Sequence, residues 1–212
     1  MPGRDLSRPL AVINRFTVRG DVERFEREFR EHSQYLRRQP GFEFLVTVRL
    51  VERPDVYVHL GHWNRLDSFL AVVHDDVFLS HVRRLGAMVE TEADQAVSVA
   101  RRTLENAVVG AANVVLVHAT VVGEHRLFEA GFAELTASCE RLGGFGGSDL
   151  LRSTIDPRRY TGLLWWRDTG SCDRALSSPG FAGWRERQAG TAAVRLVVER
   201  TRHVAYERIA TD

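Results

Sequence analysis

Residues 41–63 read GFEFLVTVRLVERPDVYVHLGHW, and residues 144–166 read GFGGSDLLRSTIDPRRYTGLLWW. At an offset of 103 the two stretches align without a gap: Gly41-Phe42 falls on Gly144-Phe145, Pro54 on Pro157, Tyr57 on Tyr160 and Trp63 on Trp166. Each stretch holds an alternating apolar run, a Pro-containing turn and a second such run, the signature of a β-hairpin. Outward from the hairpins the same offset carries Phe25 and Phe29 onto Phe128 and Phe132, and Phe78 onto Phe181. Bulky and turn-forming residues recurring at one offset over this length mark an internal duplication.

Each copy reads β-α-β-β-α-β. In the first, Leu10–Val18 is β-branched and aromatic. Gly20-Asp21 turns and caps, and Val22–Gln39 is amphipathic, with Val22, Phe25, Phe29, Ser33 and Leu36 on one stripe. Pro40-Gly41 ends that helix, and Phe42–Leu50 and Val56–Trp63 form the hairpin. Leu66–Leu85 is helical with a break at His74-Asp75-Asp76, and Ala96–Arg101 closes as the fourth strand. The fold class expected is α+β: two tandem ferredoxin-like domains, residues 8–102 and 112–209, joined by Arg102–Asn113. Helices on one face of each sheet leave the other face bare, so the two sheets are expected to pack into an intramolecular dimeric α+β barrel. The five-residue run Gly143–Gly147 follows a helix and precedes a strand, the reverse of a phosphate loop, and reads as a flexible turn.

The composition bounds the function. The 212 residues carry a net charge of +1 with 27% charged residues, which gives no basic field for nucleic acid or an anionic membrane. No apolar run reaches membrane-spanning length, and Met1–Pro9 lacks a hydrophobic signal core, so a cytoplasmic location is expected. All 29 basic residues are Arg, which excludes a catalytic Lys. Cys139 and Cys172 read as buried free thiols, and no His or Cys spacing suits a metal.

The duplication is its own control. Positions needed for folding persist in both copies, whereas a site used once survives in one. Asn14 becomes Val117, His59 becomes Gly162, His62 becomes Trp165, His74 becomes Ser177, Asp75 becomes Ser178 and His81 becomes Trp184. Strand alternation puts Tyr57, His59, Gly61 and Trp63 on one face and His62 on the other. Asn14, His59, His74 and Trp63 are therefore expected to converge between sheet and helices, in the first copy only. His62 reads as structural. His32 and His81 sit on helices, where a solvent-facing position is open to them, and carry no part of the argument.

Asn14-Arg15-Phe16, Gln39-Pro40-Gly41-Phe42, the strand ending in Trp63 and Asp76-Val77-Phe78 together resemble the antibiotic biosynthesis monooxygenase superfamily. The second copy resembles it through Trp166 and Ser178-Pro179-Gly180-Phe181. The resemblance implies an enzyme like the anthrone oxygenases of aromatic polyketide pathways, which use O2 without metal or tightly bound cofactor. It also suggests the tandem oxygenases that open rings in angucycline pathways, some of which are associated with reduced flavin. FADH2 or FMNH2 is thus a candidate diffusible cosubstrate, a flavin reductase a candidate partner and a homodimer a candidate assembly. The haem-degrading members share Asn14 and Arg15, but their haem-ligating His would fall at Val82 and their Trp at Val72, which disfavours haem. On this reading a polycyclic aromatic polyketide and O2 are the substrates. His59 or His74 is the base, Asn14 the oxyanion donor, and Phe16, Tyr57 and Trp63 the lining of the slot. A polyketide cyclase and a non-catalytic ligand-binding barrel are the alternatives.

Overall fold

A computed structural model describes residues 5–190 and 193–204. The chain divides by packing at Gln95/Ala96 into a first unit, to which Val204 also belongs, and a second unit that runs to His203. The first contains β1 (Leu10–Val18), α1 (Val22–Arg37), β2 (Phe42–Leu50), β3 (Val56–Trp63), α2 (Leu66–Val73), α3 (Asp76–Gly86) and the opening of β4 (Val89–Thr103). The second contains the rest of β4, then β5 (Val114–Val121), α4 (His125–Arg141), β6 (Phe145–Ser153), β7 (Arg159–Trp166), α5 (Thr169–Leu176), α6 (Pro179–Ala189) and β8 (Val194–His203). Both units are thus the expected ferredoxin-like α+β arrangement. The end of the second repeat, expected at residue 209, lies outside the described residues.

In the first unit β3 is central, antiparallel to β1 (Asn14 opposite His59, Phe16 opposite Tyr57) and to β2 (Thr47 opposite His59). In the second, β5 pairs with both β8 and β7, β7 pairs with β6, and Ala96–Thr103 of β4 pairs with β6. That last pairing explains why the division falls inside β4 rather than in the 102–113 connection. β4 is also longer than the expected Ala96–Arg101. Its opening residues, Glu90 to Ala93, are exposed and largely charged, so no apolar alternation announces them.

Local chemistry is repeated along with topology. Asp75 accepts hydrogen bonds from the Val77 and Phe78 amides at the start of α3, and Ser178 accepts from Phe181 at the start of α6. Gly41 and Gly144 both adopt positive φ (81° and 73°) after the first helix of each unit, and a Cβ at either would run into Ser68 or Ser171. The Gly143–Gly147 run is only partly a turn. Phe145 already begins β6, and Gly146 and Gly147 continue the strand through a bulge beneath the Trp165 ring.

One brace recurs intact. The Tyr57 hydroxyl donates to Glu26 (2.5 Å) with the Arg49 guanidinium 5.2 Å above its ring; the Tyr160 hydroxyl donates to Glu129 (2.6 Å) with Arg152 at 5.6 Å. Because both copies keep it, this network holds α1 to β3 and α4 to β7. Removing a half-buried hydrogen bond to a carboxylate costs about 1.5–3 kcal/mol. Tyr57→Phe and Tyr160→Phe are therefore expected to lower unfolding free energy by similar amounts in that range, measured by urea denaturation. A loss below about 0.5 kcal/mol in either would contradict the brace.

Candidate active site

The helix-facing side of the first sheet carries Leu10, Val12, Asn14, Phe16 and Val18 from β1 and Tyr57, His59, Gly61 and Trp63 from β3, as strand alternation requires. Its apolar packing is interrupted. Phe16, Phe25, Phe29 and Tyr57 form one cluster with Leu85 and Met88, while Leu10, Leu36, Trp63, Leu66 and Val72 form another. Polar residues stand where the two would merge. In the second unit the corresponding residues make one continuous cluster from Val121 to Trp166.

His59 is 2% exposed. Its Nδ1 lies 3.0 Å from the Thr47 hydroxyl, and its ring meets Phe29 edge-on at 5.0 Å between centroids. Its Nε2 is buried with no hydrogen-bond partner. Two residues on, Gly61 leaves room: a Cβ there would sit 3.4 Å from Phe42 Cε2, 3.5 Å from His59 Nε2 and 3.8 Å from Trp63 Nε1. The imidazole Nε2 and the indole Nε1 thus both lie within van der Waals reach of the position a Gly61 Cβ would take. Asn14 stands directly across from His59 in the register and is half-buried.

Helices α1 and α3 add two imidazoles to this layer. His32 lies on the buried stripe of α1 with Phe25, Phe29 and Leu36, and its Nδ1 is buried without a partner. Its ring is 6.2 Å from Phe29, 5.6 Å from Phe78 and 5.6 Å from His81. His81 Nδ1 lies 2.8 Å from Arg84 Nη2, and Tyr35 packs over the His81 ring at 5.4 Å while donating to Asp75 (2.9 Å). Burial, then that carboxylate, push the Tyr35 phenol up to about 12.

Desolvation dominates the imidazoles. Burial, followed by the nearby His59, His81 and Arg84, lowers His32 from 6.5 to about 3. Burial, followed by Arg37, lowers His59 to about 4. His81 is lowered by burial and then Arg84. All three are neutral at pH 7. In the tautomer whose Nδ1–H donates to the Thr47 hydroxyl, His59 keeps an unshared lone pair on Nε2, the form a base requires.

The sequence-based candidates separate. Asn14, His59 and Trp63 come together. His74 does not: it is exposed at the C-cap of α2, where its backbone N–H bonds Val72, because the helix break turns the chain outward there. Phe16 is packed among Phe25 and Phe29, at 5.9 and 5.4 Å between centroids. Tyr57 is fully buried, with its hydroxyl committed to Glu26. His62, on the opposite face, stacks on Phe44 at 4.1 Å. Sequence reasoning missed His32, Thr47 and His81. The signal was available: Phe25, Phe29, His32 and Leu36 follow one helical stripe, and the repeat offset turns His32 into Leu135 and Thr47 into Leu150.

The second unit lacks these polar side chains. Asn14, His32, Thr47, His59, Gly61 and His81 correspond to Val117, Leu135, Leu150, Gly162, Leu164 and Trp184, all buried or in the sheet centre. A Cβ on Gly162 would lie 2.7 Å from Phe132, so that ring fills the place His59 holds in the first unit. A shallow cleft of about 170 Å³ between α4 and β4–β6 is lined by Ala133, Thr136, Ala137 and Ser148, and has none of these imidazoles.

Fold and site therefore define a tandem ferredoxin-like chain with three imidazoles, His32, His59 and His81, buried in the helix–sheet layer of its first unit. The antibiotic biosynthesis monooxygenase model matches residues 9–84, within that unit. Deoxynogalonate monooxygenase of Streptomyces nogalater is 33% identical over 95 residues, 45% of this chain and 79% of the relative. The solved structure of SnoaB, described as a cofactor-independent oxygenase from the same organism, is 30% identical and covers 47% of this chain and 99% of its own, with a TM-score of 0.43. Over nearly the whole chain, an anthrone oxidase-like protein has the same fold at 12% identity, with 93% and 92% covered and a TM-score of 0.68. The chain belongs to the antibiotic biosynthesis monooxygenase family. Among the described residues, no helix is long and apolar enough to cross a membrane.

Depressed imidazole pKa values link stability to pH. Below 6.5 the unfolded chain takes up protons that folded His32 and His59 refuse until about 3 and 4. Their contribution is full above pH 6.5 and falls as pH drops through that window, by up to about 1.4 kcal/mol per unit for each imidazole. A His32→Leu/His59→Gly variant, which copies the second unit, is expected to have a flatter stability–pH curve between pH 6.5 and 4.5. Parallel curves from urea melts would contradict these burial effects.

Proposed function

We propose that the chain is an oxygenase that uses O2 to oxidise a polycyclic, phenol-bearing polyketide in antibiotic biosynthesis. The observation that carries this reading is His59: a buried imidazole with one nitrogen unpartnered, beside Trp63 and across from Asn14, in the unit the family model matches and with glycine in its place in the other. Leaving such a nitrogen unbonded costs about 1–3 kcal/mol. The second unit keeps the fold without it, so its retention argues for a ligand that completes it.

In the proposed reaction His59 Nε2 takes a proton from a methylene flanked by phenolic rings, and Asn14 donates to the enolate oxygen that develops. The carbanion passes one electron to O2, and the radical pair recombines to a carbon-bound peroxide. Protonation of the peroxide, loss of the second C–H proton and O–O cleavage give a ketone and water. The electrons come from the substrate, so no flavin or metal has to supply them, in keeping with the description of SnoaB as cofactor-independent. Trp63 and Phe42 supply flat apolar walls.

The test is an oxygen electrode with 1,8-dihydroxyanthrone. Wild type is expected to consume O2 and form the quinone. His59→Ala should lose about 10²–10⁴-fold in kcat, and Asn14→Ala about 10²–10³-fold. Turnover within twofold of wild type in both variants would remove the assignment. Conversion of a polyketide without O2 uptake would replace it with a cyclase.

A further inference from the structure

We propose that Thr47 is the positioning residue of His59: its hydroxyl accepts the Nδ1–H and so leaves the lone pair of the ring on Nε2. The inference rests on the oxygenase reading, in which His59 is the base, and adds to it the group that sets that base. Three observations support it. Thr47 stands directly opposite His59 in the β2–β3 register, is 0% exposed, and holds its Oγ1 3.0 Å from His59 Nδ1. In the second unit the same register pairs Leu150 with Gly162, both buried, so hydroxyl and imidazole are lost together and a strand with leucine in that place packs well. The Phe29 ring meets the imidazole at 84° with centroids 5.0 Å apart, which fixes the plane of the ring. An aromatic edge does not choose between the two nitrogens, and that choice falls to Thr47.

A neutral imidazole carries one N–H and one lone pair, and the hydrogen bond at one nitrogen decides what the other presents. With Nδ1–H donated to Thr47, uptake of the substrate proton at Nε2 gives an imidazolium whose Nδ1–H already has its acceptor. Neither group has to turn as charge develops. The reverse bond, in which the hydroxyl donates to Nδ1, puts the ring proton on Nε2 and leaves no lone pair for the C–H proton.

The acceptor is also of the right kind. Burial, followed by the nearby Arg37, lowers His59 to about 4. An uncharged hydroxyl leaves the ring in that state, whereas a carboxylate in its place would raise the imidazole and retain the proton. Thr47 therefore selects the nitrogen that works without making His59 hold what it takes.

The experiment compares wild type with Thr47→Val, which has nearly the same shape and no hydroxyl, and Thr47→Ser, which keeps the hydroxyl. Nitrogen-15 NMR of the free enzyme at pH 7 reads the tautomer, with the His59 signals assigned by their loss in His59→Ala. O2 uptake with 1,8-dihydroxyanthrone gives kcat and KM, and fluorescence quenching gives the affinity for 1,8-dihydroxyanthraquinone. Expected are the Nδ1–H form of His59 in wild type and Thr47→Ser, and a shift to the Nε2–H form in Thr47→Val. The kcat should fall about 10–10²-fold in Thr47→Val and stay within about threefold in Thr47→Ser, with KM and quinone affinity within about threefold in both. An Nε2–H form in wild type, or the same form in Thr47→Val as in wild type, overturns the Thr47 assignment. A kcat within twofold of wild type in folded Thr47→Val, or an equal fall in Thr47→Ser, overturns it as well. Loss of quinone binding together with kcat makes Thr47 a packing residue and has the same consequence. A wild type that neither consumes O2 nor binds the quinone overturns the oxygenase reading, while the NMR comparison, which needs no substrate, still decides whether Thr47 sets the His59 tautomer.

Discussion

The His59 ring is held on one side by the Thr47 hydroxyl and the edge of Phe29, and left without a partner on the other. A desolvated nitrogen in that state works against folding, and hydrophobic burial elsewhere has to offset it. The surrounding features serve to keep it so. Gly61 places no side chain beside that nitrogen, Phe42 and Trp63 stand around the same position, and His32 repeats the same unfavourable burial from the helical layer. The first unit thus has an interrupted core where the second has a continuous one.

The second unit shows what the same backbone does when folding alone is served. Leu164 stands where the first unit has Gly61, Phe132 leans onto Gly162, and Trp184 stands where the first unit has His81. The replacements add buried apolar surface, worth about 25 cal/mol for each Å² removed from water, although Trp184 also brings a buried indole N–H without a partner. The features kept in both units have structural work: the tyrosine–glutamate–arginine brace, the capped third helical segment and the glycine after the first helix. Family membership follows from sequence, through a relative 33% identical over 79% of its length, and the matched residues 9–84 lie in the unit with the interrupted core.

Much of this was legible in the residues. The first hairpin has the expected bounds, Phe42–Leu50 and Val56–Trp63, and the second recurs at 145–166, because alternation, Pro turns and terminal tryptophans repeat at a fixed offset. The facing of Asn14, His59 and Trp63 followed from strand period alone. His74 misled because a helix break supplies a polar residue for capping as readily as for catalysis, and only the path of the chain reveals that it points outward. His32 and His81 were passed over for a related reason. A histidine on an amphipathic helix is assigned to the wet face by polarity, whereas its position beside Phe29 and Leu36, or Phe78 and Leu85, puts it on the dry one. Polarity and periodicity disagreed, and periodicity was right.

The account stands on the space above Gly61 being a binding site. Gly61→Leu copies Leu164 and fills that space while leaving every titratable group in place. Titration calorimetry with 1,8-dihydroxyanthraquinone is the most direct measurement. The account predicts one molecule bound per wild-type chain and no detectable binding to a Gly61→Leu protein with wild-type circular dichroism. Unchanged affinity in that variant would contradict it.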